Sequence, residues 1–150
     1  MFQRILVPLD GSKEAEVALQ SARTLARAFE AELHLVTVEE MPEQPTASEW
    51  DLTLGGFLDK RREQIQKNLD RLAEPLRLEQ LKVSTNVLPL GPPVSRIIEE
   101  AKEFKADLIV LFSHGRRGLS RVFLGSVAER LTRHAPCPVM LIHNQEKPGT

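Results

Sequence analysis

The polar and apolar positions of this chain fall into two alternating periods. Short apolar runs recur: Arg4 to Leu9 (RILVPL), Glu32 to Val38 (ELHLVTV), Leu108 to Phe112 (LIVLF) and Val139 to Ile142 (VMLI), while Val83 to Leu88 reads as a further strand, third in chain order. Runs of this length, rich in Val, Ile and Leu, are what a strand buried on both sheet faces requires. Between them the spacing changes to that of a helix. Ala15, Ala18, Leu19, Ala22, Leu25, Ala26 and Phe29 make one apolar stripe, and Leu58, Ile65, Leu69, Leu72 and Leu76 a second. Opposite the second stripe, Lys60, Arg61, Arg62, Glu63, Lys67 and Asp70 read as a solvated face. Val94, Ile97, Ile98 and Ala101 form a third stripe, opened by Gly91-Pro92-Pro93, with a proline suited to a first helical turn. A fourth helix begins at Gly125-Ser126 and stops at Pro136-Cys137-Pro138.

Strands alternating with helices predict an α/β fold with a parallel sheet, because parallel neighbours need a crossover that a helix supplies. The first crossover, from Arg4 to Val38, is a right-handed βαβ unit. Ser12 is placed to cap its helix, with Glu14 and Glu16 where the dipole favours negative charge. The pattern breaks from Glu39 to Gly56, where Pro42, Pro45 and Gly55-Gly56 surround Trp50. That stretch is expected to be a mobile loop, with at most a turn of helix around 48–54. The tail 144–150 is expected to fray.

Composition adds boundaries. The 150 residues suit one domain, 1–150, and no internal repeat or linker divides them. Twenty basic against twenty-one acidic residues give no support to a nucleic-acid partner or a membrane surface. No apolar run approaches a membrane span or a signal peptide, and the single cysteine, Cys137, allows no internal disulfide, so a cytoplasmic protein is expected. Cys137 reads as a small apolar filler. His34, His114, His134 and His143 show no metal-ligand spacing, and no Ser/His/Asp set assembles. Neither the P-loop nor the dinucleotide fingerprint is present.

The chemistry is concentrated between Ala106 and His143. An apolar strand ends at Ser113-His114-Gly115, a Gly-punctuated loop carrying Arg116, Arg117 and Arg121 follows, and a helix starts at Ser126. Ser126 with Glu129 three residues on has the spacing of a capping box. Strand, loop and helix start offer backbone N–H groups and a positive dipole end to an anion, so a phosphate site is expected.

The same segment resembles the ATP-binding branch of the universal stress protein family, whose motif is G-x2-G-x9-G-[ST]. Gly115, the nine residues 116–124, and Gly125-Ser126 match it; Phe112 stands where the motif has its first Gly. The resemblance implies a single-domain, doubly wound five-stranded parallel sheet of order 3-2-1-4-5, with helices on both faces as in the adenine nucleotide alpha hydrolase-like folds. In that order, the carboxyl ends of the first and fourth strands converge on one crevice. By resemblance Pro8, Leu9, Asp10 and Val38 hold adenosine. Gly115, Gly125, Ser126 and Val127 hold phosphates carrying Mg²⁺. Leu111, Phe112, His114 and Arg116 border the nucleotide.

Read without the resemblance, Asp10 serves only its Asp-Gly turn and Phe112 is an ordinary buried strand residue. A ring turned into the core leaves the crevice open; a ring turned outward fills it. Two functions follow. One is a stress-response protein using ATP, or a related adenine nucleotide, as a signal, with at most slow hydrolysis. The other is a nucleotide-free interaction protein with the site closed by Phe112. The resemblance also implies a homodimer paired through the edge strand Val139–Ile142.

Overall fold

A computed structural model describes residues 1–40, 54–113 and 125–143. The strands are β1 (Arg4–Pro8), β2 (Glu32–Val38), β3 (Val83–Leu88), β4 (Leu108–Phe112) and β5 (Val139–Ile142). The helices are α1 (Ala15–Phe29), α2 (Leu54–Leu78), α3 (Pro93–Phe104) and α4 (Ser126–His134). All five strands pair in parallel in the order β3-β2-β1-β4-β5. The order implied by the family resemblance is the one found.

Strands buried on both faces give two apolar layers. On one side Ile5, Val7, Leu33, Leu35, Leu108, Val110 and Phe112 pack against the alanine-rich stripe of α1 and against Leu69, Ala73 and Leu76 of α2. On the other, Leu6, Val36, Ile109 and Leu111 pack against Val94, Ile97 and Ala101 of α3 and Ala128 and Leu131 of α4. Alanines at 15, 18, 22 and 26 let α1 approach the sheet closely, and all four are buried.

Two polar devices fix the frame. The Asp107 carboxylate, at the entry to β4, accepts the N–H groups of Gln3 (2.8 Å) and Arg4 (3.1 Å), tying the start of β1 to β4. The second is buried. His34 of β2 is 7% exposed and stacks on Phe104 with ring centroids 4.6 Å apart. Its Nδ1 is 2.6 Å from Ser84 Oγ on β3 and its Nε2 is 2.6 Å from Glu100 Oε1 on α3. Asn86 Nδ2 donates to the same oxygen at 3.0 Å. A Ser–His–Glu chain thus exists that the spacing of these residues in the sequence does not reveal. Its members lie apart from the cleft described below, and they pin the β2–β3 edge to α3.

Two differences from expectation concern where elements begin and end, whereas the cap at α1 is the one expected. The second helix begins at Leu54, so Gly55 and Gly56 are helical rather than part of the loop expected at 39–56; Trp50 and the rest of 41–53 lie outside the described residues, as does the tail 144–150. β1 stops at Pro8, although Leu9 N–H still donates to Val36 O at 2.7 Å. At α1, Ser12 does the capping work: its Oγ accepts Ala15 N–H at 3.2 Å, while regular helix starts only at Ala15. Among the described residues, no helix is long and apolar enough to cross a membrane, and no group of three or more His, Cys, Asp or Glu is placed to hold a metal ion.

Replacing His34 with Leu leaves the Glu100 carboxylate, 15% exposed, with Asn86 as its remaining partner. We expect a loss of about 1–3 kcal/mol, the cost of a largely buried carboxylate that loses one of its two partners. The double variant His34→Leu/Glu100→Leu should recover most of it. Urea denaturation of the two variants checks this; equal losses in both would refute it.

Candidate functional site

The site follows from where strand pairing stops. β1 and β4 are in register only at Ile5↔Leu108 and Leu6↔Ile109. On their outer flanks the ladders run further, to Pro8↔Val36 with β2 and to Phe112↔Ile142 with β5. Pro8 has no N–H to continue a ladder. The carboxyl ends of β1 and β4 therefore separate, and a cleft of about 520 Å³ opens at the point where the sheet reverses its winding. That volume lies within the range of small-molecule sites, roughly 300–1,000 Å³.

Nine of the residues singled out from the sequence line this one cleft: Pro8, Leu9, Asp10, Val38, Leu111, Phe112, Gly125, Ser126 and Val127. His114, Gly115 and Arg116 lie outside the described residues. Asp10 sits at the mouth. Its Oδ1 accepts both the N–H and the Oγ–H of Ser12, at 2.9 and 2.5 Å, which closes the turn into α1. Gly11 takes φ +85°, a left-handed conformation that favours glycine, and this lets the chain turn there. Phe112 is 8% exposed and belongs to the core layer beneath α1. It contributes to the cleft wall without filling the space.

The start of α4 corrects the capping box. Gly125, in extended conformation, is the N-cap, and no side chain caps the helix. Ser126 is the first helical residue. Glu129 is drawn instead to Arg133 one turn on, at 3.0 Å. Among helical N–H groups, the first few have no partner within the helix. Those of Ser126, Val127 and Ala128 therefore stand uncapped by any side chain at the cleft wall, together with the positive end of the dipole.

The opposite wall was not foreseen. α2 contributes Arg61, Gln64, Ile65 and Asn68, spaced i, i+3, i+4 and i+7 on one face, and β2 adds Thr37. The expectation that Arg61 belongs to a solvated face is thus overturned: it borders the cleft and its Nε is fully buried. Arg62 stays exposed as expected, yet it also has a partner. It forks onto Glu39, which is 4% exposed, with Nε–Oε1 2.6 Å and Nη2–Oε2 3.3 Å, and so fastens α2 to the end of β2. Cys137 lies elsewhere. Burial, and secondarily the Asp107 carboxylate, pushes its thiol above its ordinary value, which disfavours the reactive thiolate.

Comparison with known proteins is consistent across sequence and structure. A family model described as the universal stress protein family matches residues 1–143. A universal stress protein of Methanocaldococcus jannaschii is 33% identical over 150 residues, which is 98% of this chain and 85% of that protein. A crystal structure of a universal stress protein family member from Burkholderia pseudomallei superposes with a TM-score of 0.72 at 30% identity, covering 94% of this chain and 96% of that one. The fold is also that of a universal stress protein solved in complex with cAMP, with TM-score 0.63, 24% identity, and 96% and 98% of the two chains covered.

The two serines that the sequence nominates as caps should now behave differently. Ser12→Ala removes a side chain that both caps α1 and holds Asp10, and should cost about 1 kcal/mol. Ser126→Ala removes no cap and should stay within about 0.5 kcal/mol of the parent. Thermal unfolding of both variants gives the comparison, and equal losses would contradict the assignment of Gly125 as the N-cap.

Proposed function

Because this chain belongs to the universal stress protein family, we propose that its cleft holds ATP or a related adenine nucleotide, and that occupancy acts as a signal in a stress response. The observation that carries the reading is the uncapped start of α4 opposite Asp10 and Val38, across a cleft of about 520 Å³. Adenosine would rest against Pro8, Leu9, Asp10 and Val38. Phosphate oxygens would accept the N–H groups of Ser126 and Val127 beside Gly125, where each favourable charge–dipole contact is worth about 0.3–1 kcal/mol. Gly115, with His114 and Arg116, enters on family resemblance alone. Mg²⁺ would ride on the phosphates, since they supply the hard oxygen ligands it prefers. A relative of this fold bound to cAMP supports an adenine nucleotide of some kind.

We read the protein as a binder rather than an enzyme, with hydrolysis well below about 1 per second. The rival reading, a site closed by Phe112, has the bulk of that ring in its favour. Against it stands the ring's burial in the core layer beneath α1. Calorimetric titration of nucleotide-free protein should show ATP binding with Mg²⁺ present; silence at millimolar nucleotide ends the proposal. Phe112→Gly, and Phe112→Leu as a variant that keeps the core filled, should bind ATP within about threefold of the parent, less than the 1.4 kcal/mol that a tenfold change represents. A large gain in either would favour the closed site.

We further propose that the protein is a homodimer through β5. This strand ends the sheet order, all four of its residues are half-buried, and its side chains alternate between the two apolar layers. Pairing the same strand from a second copy about a twofold axis would cover such an edge. Met140→Lys places a charge there while its stem still covers the core. Sedimentation should show the parent as a dimer at tens of micromolar and the variant dissociating; a monomeric parent would sink the idea.

A further inference from the structure

We infer that Thr37 and Arg61 form a hydrogen-bonding wall that reads the edge of the ligand's base; this rests on the nucleotide reading above. Thr37 is 8% exposed and lines the cleft, and its Oγ is fully buried without a hydrogen-bond partner. Arg61 lines the same cleft, and its Nε is in the same condition. Buried polar groups are nearly always paired, so two unpaired ones in a single cleft call for a common cause. A ligand that satisfies both is such a cause.

The face of α2 points the same way. Leu69, Ala73 and Leu76 carry its apolar stripe into the core. Where that face reaches the cleft, it turns polar through Arg61, Gln64 and Asn68. Gln64 is exposed to solvent and Asn68 Oδ1 accepts from Arg71, so of these three Arg61 is the one with a buried, unpaired atom. The location within the cleft selects the part of the ligand. Anion-binding N–H groups stand at the start of α4, whereas Thr37 adjoins Val38 at the end of β2, on the adenosine side. The atom types fit a base edge. A guanidinium Nε only donates, and a hydroxyl can donate or accept. Adenine offers a ring nitrogen to accept and an exocyclic amino group to donate.

The test uses the whole chain with Thr37→Val and Arg61→Met, each titrated with Mg-ATP and, separately, with Mg-tripolyphosphate, which has no base. If the wall reads the base, each variant binds ATP about tenfold more weakly, the scale of one lost hydrogen bond. Tripolyphosphate binding then stays within about twofold, well short of a hydrogen bond's worth. Nucleotide-free Thr37→Val should melt no lower than the parent, because its methyl replaces a hydroxyl that has no partner. Unchanged ATP affinity in both variants overturns the inference. So does an equal loss for tripolyphosphate, which would make Arg61 a phosphate anchor. A parent that binds tripolyphosphate but not ATP refutes base reading, and one that binds neither removes the nucleotide reading itself, taking this inference with it.

Discussion

The early end of the β1–β4 ladder is the constraint on which this molecule depends. Helices that cross from one strand to the next cover the sheet faces on either side of the centre, but none crosses between β1 and β4 at their carboxyl ends. Once pairing lapses beyond Leu6↔Ile109, three strand ends, three helix starts and one face of α2 are left around shared space. Winding direction, not any single side chain, creates the vacancy. The chemistry of the site is then a matter of which groups the surrounding elements leave unsatisfied there.

Charged and polar groups in the interior serve to hold that geometry. Asp107 joins the amino ends of β1 and β4, so that the strands are fixed where they pair and diverge from a tied origin. His34 bridges β3 and α3, and Glu39 with Arg62 sets α2 beside the end of β2. The Glu39–Arg62 pair keeps its arginine open to solvent, and such a pair adds little stability by itself. Its value here is positional. It holds the α2 face that carries Arg61 and Asn68 against the cleft rather than letting it slide along the sheet.

The central strands could be read from the sequence because strands buried on both sides are apolar nearly throughout, as at Leu108 to Phe112; β3, with Ser84, Thr85 and Asn86, is an edge strand of alternating burial. Strand order could not; periodicity carries no information on which strand neighbours which, and only the resemblance at Gly115 to Ser126 supplied it. That Pro8 to Asp10 and Val38 line the cleft followed from the same resemblance. The α2 wall was not. Arg61 and Arg62 are adjacent in a charged run, and sequence gives no reason to turn one into the cleft and the other onto Glu39. Gly55-Gly56 also read as a break, since glycine disfavours helix by about 1 kcal/mol. The helix nonetheless runs through both, which leaves the face of α2 unassigned until its packing is known. Ser126 misled in a different way. The capping-box pattern was present, but Glu129 had a competing partner in Arg133 one turn later.

Phe112 shows how a motif can lose a residue without losing the shape that it serves. A glycine at the end of β4 permits close approach of a ligand, whereas a side chain there must go somewhere. Successive residues of a strand point to opposite faces, so the ring follows Val110 and Leu108 toward α1, while Leu111 follows Ile109 toward α3 and α4. The alanine stripe of α1 leaves room for it. What the substitution adds to the cleft is therefore a stretch of apolar wall at its sheet end, and what it removes is backbone exposure at one point. The uncapped N–H groups from Ser126 onward do not depend on the conformation of residue 112 and would stay open to an anion. On the nucleotide reading proposed above, holding an anion would fall to the helix start rather than the strand end, and choosing a base to β2 and α2.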